Sequence, residues 1–453
     1  MQQLTIKKII NGGFGLSHLP TGQVVLVPRV LDGEVVDVKV EERKTNHLFG
    51  GVARIVTPHK ARKEAPCIYY QECGGCDLQH CDITTQLEIK KNILQDLLSR
   101  SQQTLVKEAV NSVLEPLVSP AEFAYRQRIR LKIDGYQRLG FNKFRSHTIV
   151  PIKKCLLAAA PINSCLNELS DCLDFQNLAA LSTEIELQLN PQSQEIVVLI
   201  HFNRKPRPGD ISAAKAVCKE IMLIERIFFL GEGFQAMGPY SSSMKTDSKL
   251  MTLFYEEIGD PSLPLSLQWE AGGFCQVNLN QNRRLIELVL NFAGVNEDES
   301  VLDLFCGMGN FAIPLARDAK NVTGIEGQGA SIRCAKLNAQ NNGVTNTEFI
   351  KSPIHNACSK MVDQKRTFDC VIIDPPRQGV PGLAPDLAKL TRKRLIYISC
   401  DPATLCRDLA DLTESGFVID TIQPVDMFPQ THHIETVVTL RKHNHTKNKA
   451  CPN

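Results

Sequence analysis

The sequence predicts an α/β protein: a Rossmann-like domain with a mostly parallel sheet, preceded by a small β-barrel and a mixed α+β domain. Three observations support this division. Residues 1–62 contain short strands with glycine turns, typical of a small five-stranded oligonucleotide-binding barrel. Residues 266–441 alternate short apolar strands with helices, the pattern of a parallel sheet. Residues 63–265 mix both patterns, and the polar, lysine-rich residues 442–453 are predicted to be a disordered tail.

Composition limits the classes of protein that this chain can be. The formal net charge of +2 gives no global sign of nucleic-acid binding, so the local charge distribution is the better guide. No apolar run is long enough to span a bilayer, and the first residues lack a signal-peptide pattern. Sixteen cysteines in such a chain favour buried thiols, a metal site or catalysis over a disulfide scaffold. We therefore expect a cytoplasmic monomer without membrane attachment.

A group of thiols opens the middle domain. Cys67, Cys73 and Cys76 are separated by gaps of five and two residues, and the last two flank a Gly-Gly pair that lets the backbone wrap closely around an ion or cluster. Cys155 is the best candidate for a fourth ligand, while Cys81 is close enough in sequence to compete. Four thiolates suit either zinc or an iron–sulfur cluster, and the spacing alone does not separate the two.

A helix is predicted over residues 86–99, and the most basic stretch of the chain follows it. Arg128, Arg130 and Lys132 alternate with apolar residues, which on a strand places three cations on one face. With nearby aromatic side chains, this face is predicted to contact a phosphate backbone and stack on bases. An ordinary solvated strand face is the alternative interpretation.

The C-terminal half is organised around residues 301–311, where an apolar strand leads through Gly307-Met308-Gly309 into a helix. This is how a doubly wound domain opens a nucleotide site, although the third glycine of the dinucleotide fingerprint is missing. The next strand ends in Glu326, an acid placed to accept hydrogen bonds from ribose hydroxyls. Further strands are predicted at 347–350, 370–374 and 395–399, and the last, at 435–440, is expected to insert antiparallel.

Reactive groups follow two of these strands and open the last one. Asp374 and Cys400 follow predicted strands, and the carboxyl ends of parallel strands form the ligand crevice in such folds. A thiol beside a turn at that edge is placed to attack a ligand, whereas inert burial is the alternative for most of the sixteen cysteines. Glu435 opens the final strand at the same edge, or is a surface acid.

Several motifs, in this order, resemble the S-adenosylmethionine-dependent RNA uracil-5-methyltransferases. They are Phe-Cys-Gln-Val-Asn (274–278), Leu-Phe-Cys-Gly-Met-Gly-Asn-Phe (304–311), Asp-Pro-Pro-Arg-Gln-Gly (374–379), Ser-Cys-Asp-Pro (399–402) and His-Ile-Glu-Thr (433–436). The N-terminal barrel resembles the TRAM domain. Together with the cysteine set, it resembles the branch that modifies large-subunit (23S) ribosomal RNA, so the resemblance covers nearly the whole chain.

The resemblance implies three sets of site residues. By position, Cys400 is the nucleophile and Glu435 the base. The positions expected to contact S-adenosylmethionine are Gln276, Phe305, Asn310, Glu326 and Asp374. The ligands expected for a 4Fe-4S cluster are Cys67, Cys73, Cys76 and Cys155. The residue near the adenine edge, Ser352, is not acidic here. Residues 63–265 would then be an RNA-binding domain whose four cysteines hold the cluster, and residues 266–441 the methyltransferase domain.

The chemistry of uracil explains these residue types. A thiolate that adds to carbon 6 makes an enolate whose carbon 5 can attack a sulfonium methyl group, and a base must then remove the proton from carbon 5. The target base must also leave its stack, which a basic groove with aromatic side chains favours.

Three alternatives stay open. The substrate can be transfer RNA rather than ribosomal RNA. An adenine amino-methyltransferase would place an aromatic residue where Arg377 stands, and would need no cysteine nucleophile. A cluster-containing RNA-binding protein without enzymatic activity would leave the ordered motifs after residue 270 unexplained.

Overall fold

The computed structural model describes residues 1–241, 248–256, 258 and 264–443, and the chain forms two compact units. The first comprises residues 1–93, 118–284 and 426–433; the second comprises residues 94–117, 285–425 and the chain from 434 onward. Residues 444–453 of the predicted tail lie outside the described residues. The three predicted domain boundaries stay predictions.

The N-terminal region of the first unit is a six-stranded sheet. Its strands are β1 (Gln2–Thr5), β2 (Lys8–Ile10), β3 (Phe14–His18), β4 (Val24–Pro28), β5 (Val35–Arg43) and β6 (Leu48–Thr57). They lie in the order β1-β5-β6-β4-β3-β2, and only the β4–β6 pair is parallel. The sequence predicted five strands, because it did not show that the chain leaves the sheet between β1 and β2, where Ile6 is buried.

The helix predicted at 86–99 is α1 (Ile83–Ser99), and it begins three residues earlier than expected. The Asp82 carboxylate accepts a hydrogen bond from the Thr85 N–H at 2.8 Å, which satisfies a free amide of the first turn. A short helix, α2 (Thr104–Glu108), and a 3₁₀ turn (Ala109–Ser112) follow.

The second sheet of the first unit has seven strands in the order β13-β12-β11-β10-β7-β8-β9. They are β7 (Arg128–Ile133), β8 (Leu139–Asn142), β9 (Ile149–Pro151), β10 (Ser182–Leu189), β11 (Ile196–Phe202), β12 (Ile224–Leu230) and β13 (Met237–Tyr240). Its helices are α3 (Ala160–Asp171), α4 (Leu173–Ala179) and α5 (Pro208–Glu220). A separate antiparallel pair consists of β14 (Leu250–Tyr255) and β15 (Leu265–Glu270).

The second unit contains the predicted Rossmann-like sheet. Its strands are β16 (Ser300–Leu304), β17 (Asn321–Glu326), β18 (Thr347–Lys351), β19 (Phe368–Ile373), β20 (Thr391–Ser399), β21 (Phe417–Val425) and β22 (Glu435–Lys442). Its helices are α7 (Ala312–Leu315), α8 (Gly329–Asn341), α9 (Ile354–Asp363), α10 (Ala384–Leu390) and α11 (Pro402–Glu414), and α6 (Leu279–Ala293) begins in the first unit.

The order of this sheet is β18-β17-β16-β19-β20-β22-β21. The first five strands are parallel, and β22 pairs antiparallel with both neighbours, which confirms the predicted antiparallel last strand. Successive strands are added on one side of β16 as far as β18, and from β19 onward they are added on its other side, so the strand order reverses between β16 and β19. In open parallel sheets a ligand binds at such a reversal, outside the carboxyl ends of the strands.

The core of the second unit packs helices α9, α10 and α11 and part of α1 against this sheet. Residues 301–304 of β16, all of β19 and residues 395–399 of β20 are buried and mostly apolar, which fixes the carboxyl ends of these strands rigidly relative to one another. Among the described residues, no helix has the length and apolar character needed to cross a membrane.

Candidate active site

The strand register brings three predicted cofactor residues together. Leu304 pairs with Ile325 on one side and with Ile373 on the other. The next residue along each strand therefore emerges at the same level of the sheet edge. These residues are Phe305, Glu326 and Asp374.

The glycine turn after β16 leaves space for a ligand. Phe305 and Gly307 both have positive φ angles, +63° and +54°, and a Cβ added at Gly307 would meet no atom within 4 Å. The Gly307 N–H donates to the Glu326 carboxylate at 3.3 Å, and the Gln328 N–H donates to it at 2.8 Å. Asn310 lies partly buried in the same turn, just before α7. The turn is thus an open cradle walled by Glu326.

A buried carboxyl group lies beneath this cradle, and the sequence prediction missed it. Asp303 in β16 is fully buried, and neither of its carboxyl oxygens has a partner at normal hydrogen-bond geometry. Burial and the nearby Asp374 raise its pKa well above the ordinary value, and the Ala312 N–H opposes this rise. Burial likewise raises the pKa of Asp374 to about 7. Such a set of acids favours a cationic ligand.

The predicted nucleophile and base face each other across two antiparallel strands. Ser399 at the end of β20 pairs with Thr436 in β22. The register therefore places Cys400 opposite Glu435, because each lies one residue further toward the same edge. Glu435 is buried and also pairs with Val425 of β21. Cys400 is only partly buried.

Electrostatics couple these two groups. Burial, the Glu435 carboxyl and Asp374 raise the pKa of Cys400 to about 12, while Arg377 opposes the rise. Burial and Asp374 raise the pKa of Glu435 well above its ordinary value, and Arg377 again opposes this. In the ligand-free protein the Cys400 thiol is therefore protonated at pH 7, and Glu435 keeps its proton to a higher pH than an ordinary glutamate. Arg377 is a second residue that the sequence prediction did not include in the site.

The loop that carries Asp374 and Arg377 is fastened to α11. The Asp408 carboxylate accepts hydrogen bonds from the Tyr397 hydroxyl at 2.5 Å and from the Val380 N–H at 2.9 Å. Gly379 has φ +71°, and a Cβ there would lie 2.1 Å from the Asp408 carboxylate. Only glycine fits this close approach. No pattern in the sequence pointed to Asp408, because its partners come from distant segments.

Gln276 lies in the first unit, in the segment between β15 and α6, and is partly buried. Its predicted cofactor contact stays a prediction.

The four predicted cluster ligands also lie in the first unit, and each is partly buried. They interact electrostatically: Cys155 contributes to raising the pKa of Cys67, Cys73 and Cys76, although burial is the larger cause for each. Among the described residues, however, no three His, Cys, Asp or Glu side chains are grouped closely enough to hold a metal ion. Cys81, the competing candidate, is fully buried and its thiol donates to the Leu78 carbonyl at 3.3 Å.

The predicted phosphate-binding face on β7 is largely neutralised. Arg128 and Arg130 both bind Glu186 of the adjacent strand β10, at 2.8 and 3.0 Å, and Lys132 binds Glu184. The pairing of β7 with β10 was not visible in the sequence. Most of the charge on this face therefore belongs to ion pairs within the sheet.

Two family profiles and several relatives match this chain. The profile of the tRNA (Uracil-5-)-methyltransferase family matches residues 264–443, and that of the TRAM domain matches residues 1–53. The chain is 33% identical over 444 residues to the 23S rRNA (uracil(1939)-C(5))-methyltransferase RlmD of Pseudomonas putida, covering 96% of this chain and 92% of the relative. It is 30% identical to an RNA methyltransferase of Thermotoga maritima, covering 98% and 99% of the two chains.

A solved structure shows the same fold. The crystal structure of the Pyrococcus abyssi tRNA (uracil-54, C5)-methyltransferase with S-adenosyl-L-homocysteine superposes with a TM-score of 0.69 at 24% identity. The match covers 97% of this chain and all of the other. The fold and the family matches together define an S-adenosylmethionine-dependent methyltransferase. The chain belongs to the RNA uracil-5-methyltransferase family.

Proposed function

We propose that this enzyme methylates carbon 5 of a uridine in 23S ribosomal RNA, with Cys400 as nucleophile and Glu435 as base. The observation that carries the proposal is the register of β20 and β22, which sets Cys400 opposite Glu435 at the carboxyl edge of the sheet. A nucleophile and a base on adjacent strands can act on neighbouring atoms of one pyrimidine ring.

The two groups act in sequence. The Cys400 thiol first loses its proton to water, and the thiolate sulfur then forms a bond to carbon 6 of uracil. The electron pair of the carbon 5–carbon 6 double bond that this displaces makes carbon 5 nucleophilic. When bound, S-adenosylmethionine would supply the methyl group from its sulfonium sulfur to carbon 5, and the sulfur–methyl bond would break to leave S-adenosylhomocysteine. Glu435, in its carboxylate form, then accepts the proton of carbon 5, the carbon 6–sulfur bond breaks, and the thiolate leaves. Arg377 lies where it lowers the pKa of the Cys400 thiol, so it favours both the attacking and the leaving thiolate.

The cradle after β16 suits the methyl donor. S-adenosylmethionine carries positive charge on its sulfonium and its amino group, and the acids Asp303 and Asp374 have raised pKa values in the absence of a cation. Glu326, at the end of the second strand, is placed to accept hydrogen bonds from ribose hydroxyls. Phe305 and Asn310 would line the same cradle.

Several relatives favour ribosomal RNA over transfer RNA as the substrate. Relatives that are 32% and 33% identical over more than nine-tenths of this chain are named as 23S rRNA (uracil(1939)-C(5))-methyltransferases. The solved structure of similar fold, at 24% identity, is of a tRNA enzyme. We take 23S ribosomal RNA as the substrate, with transfer RNA as the alternative. The predicted cytoplasmic location follows from that substrate, and the monomeric state stays a prediction.

A groove of about 920 Å³ in the first unit suits single-stranded RNA. Arg29 packs over the rings of Tyr70 and Phe144, and Arg145 packs over Phe49. Cations beside aromatic faces bind phosphates and stack on bases without strong sequence preference.

Cys67, Cys73, Cys76 and Cys155 would hold a 4Fe-4S cluster. Three observations support the fit: all four ligands are thiols, they interact electrostatically, and the Gly75 N–H donates to the Cys73 sulfur at 3.4 Å. Hydrogen bonds of this kind stabilise cluster sulfurs. A four-iron cluster also spreads its thiolates further apart than a single ion does. The methylation needs no redox step, so the cluster's role would be structural.

The test is to incubate the protein with labelled S-adenosylmethionine and a 23S transcript made in vitro, and then to identify the labelled nucleoside. The expected product is 5-methyluridine at a single position. Label on adenosine or guanosine would remove Cys400 and Glu435 from their roles. Label on a transfer-RNA transcript alone would correct the substrate.

A further inference from the structure

The segment over residues 426–433, which we call the bridging loop, joins the two strands that carry the base. Val425 at the end of β21 pairs with Glu435 at the start of β22. The loop therefore starts directly after the pairing partner of Glu435 and ends just before Glu435 itself. Both strands belong to the second unit, yet the loop itself belongs to the first. The loop leads into Glu435, so residues that fix the loop also fix the backbone just before the base.

A buried ion pair holds the first part of the loop. The Lys90 ammonium group lies 2.5 Å from the Asp426 carboxylate, and both side chains are completely buried. The same ammonium donates to the Phe428 carbonyl at 3.0 Å. Burying two charges costs much of what their attraction returns, so a well-packed apolar pair would serve stability about as well. A buried pair of this kind instead fixes one arrangement of the groups it joins.

Neutral side chains bind the middle of the loop. Asn278 donates to the Met427 carbonyl at 3.1 Å, and the Tyr125 hydroxyl donates to the Pro429 carbonyl at 3.0 Å. With Lys90 on Phe428, three successive carbonyls of the loop each accept a hydrogen bond from a different side chain. Such a run leaves the backbone little freedom.

The end of the loop is held most closely. Gln430 is fully buried with φ +70°, its N–H donates to the Gln86 amide oxygen at 2.9 Å, and the Gln86 amide nitrogen donates back at 3.0 Å. Its carbonyl accepts from the N–H groups of Asp77 and Leu78, both at 3.1 Å. The Asp77 carboxylate also accepts from the His432 N–H at 3.1 Å. Asp77 directly follows Cys76, so the cysteine segment itself contacts the loop.

We propose that Lys90, Gln86 and Tyr125 are positioning residues for Glu435, acting through the bridging loop. The proposal rests on the role of Glu435 as the base. Removing a carbon-bound proton is sensitive to placement, and a displacement of about 1 Å can slow a catalysed step by about 10²-fold. Addition of Cys400 and methyl transfer do not use Glu435. Loosening the loop should therefore slow proton removal alone.

The methylated covalent intermediate provides the test. Once carbon 5 carries the methyl group, Cys400 cannot leave until the proton is removed, so slow proton removal makes the intermediate accumulate. We would mix Lys90→Met with S-adenosylmethionine and a 23S transcript, quench in denaturant, and measure the covalent protein–RNA species and free product over time. We expect release of product to fall by about 10²-fold, with formation of the intermediate close to that of the unsubstituted enzyme.

Lys91→Met, the same change one position further along α1, is the matched control and should accumulate no intermediate. Tyr125→Phe keeps the ring and removes one hydrogen bond, so it should accumulate the intermediate to a smaller extent even if Lys90→Met folds poorly. If intermediate formation and release fall by the same factor in both variants, or no intermediate accumulates, the residues are only structural and the proposal is wrong.

Glu435→Gln separates this inference from the proposed function. It should accumulate the intermediate more strongly than either loop variant. If it does so and the loop variants do not, the positioning role fails and the base role stands. If Glu435→Gln accumulates none, Glu435 is not the base, and the positioning role falls with it.

Discussion

The molecule contains two seven-stranded sheets, which differ in how their charged side chains are paired. On the first-unit sheet, Arg128, Arg130 and Lys132 are matched by Glu184 and Glu186 of the next strand. On the second-unit sheet, the ion pairs Asp369–Arg392 and Glu299–Arg394 lie at the amino ends of the strands, and a separate set of acids lies at the carboxyl edge. There the Asp303 carboxyl is unsatisfied, and the pKa values of Asp374 and Glu435 are raised by burial. Paired charges of this kind stabilise the fold, whereas buried acids with raised pKa values mark the place of a ligand.

The largest expected effect is on methylation activity, from a change at the carboxyl edge of the second-unit sheet. Cys400→Ala removes the attacking sulfur, and without it carbon 5 has no route to an enolate. We expect methylation of a 23S transcript to fall by at least about 10³-fold in a labelled-methyl assay. Binding of S-adenosylmethionine and of RNA should be retained, since neither requires the thiol. Residual activity within about tenfold of the unsubstituted enzyme would contradict this account of the edge.

Asp303→Asn should separate stability from ligand binding. The amide side chain has the same shape and carries no charge, so it loses attraction for the cationic cofactor. We expect the affinity for S-adenosylmethionine, measured by calorimetry, to fall by about tenfold or more. At neutral and alkaline pH the ligand-free protein should become more stable, because the amide does not titrate and the folded chain no longer has to retain a proton that the unfolded chain releases.

The gain in stability should depend on pH. The folded-state pKa of Asp303 is raised above its unfolded value, so the folded protein holds a proton that the unfolded chain releases. Above the unfolded pKa of about 3.9 this difference destabilises the folded protein, by at most about 1.4 kcal/mol per pH unit until the folded pKa is reached. Thermal unfolding should therefore show a larger gain from Asp303→Asn at pH 8 than at pH 5. A gain that shrinks as pH rises would refute the assignment.

The reactivity of Cys400 should report the same electrostatics. Since its pKa is raised to about 12, alkylation by iodoacetamide should be slow at pH 7 and accelerate by about tenfold per pH unit. Bound S-adenosylmethionine, which is cationic at sulfur, should speed this alkylation relative to S-adenosylhomocysteine, which is not. Cys406 lies on the same tryptic peptide and serves as the internal control. Equal rates with the two ligands would show that the cofactor's charge does not reach the thiol.

The smallest effects should come from RNA binding. Lys143→Ala in the basic groove should weaken affinity for a single-stranded RNA a few-fold and reduce the salt dependence by about one phosphate contact. Arg130→Ala should leave affinity and salt dependence nearly unchanged and instead lower thermal stability, because it removes a partner of the buried Glu186. If Arg130→Ala weakens RNA binding as much as Lys143→Ala, the neutralised strand is part of the RNA surface after all.

The sequence predicted what is local. The glycine turn, the parallel strands, the antiparallel last strand and the relation of Cys400 to a strand end all come from short-range patterns, and the structure confirms the fold. The N-terminal sheet was predicted with one strand too few, because the break between β1 and β2 has no glycine or proline to mark it.

What the sequence missed depends on partners far apart in the chain. The basic strand looked like a phosphate-binding face because Glu184 and Glu186 come from a strand much later in the chain. The sequence did not indicate a role for Asp303, because it is a single acid within a mostly apolar strand. Asp408 and Lys90 gave no signal because their partners, Val380 and Asp426, are brought to them only by folding.

The covalent link to Cys400 tests the central claim most directly. A 23S transcript containing 5-fluorouridine would trap the intermediate, because fluorine on carbon 5 cannot be removed as a proton. After nuclease and trypsin digestion, mass spectrometry should find one methylated fluorouridine on the peptide over residues 395–407, and fragmentation should place it on Cys400. A nucleotide on Cys406 or on another cysteine, or turnover without any covalent species, would contradict the assignment of Cys400 as the nucleophile.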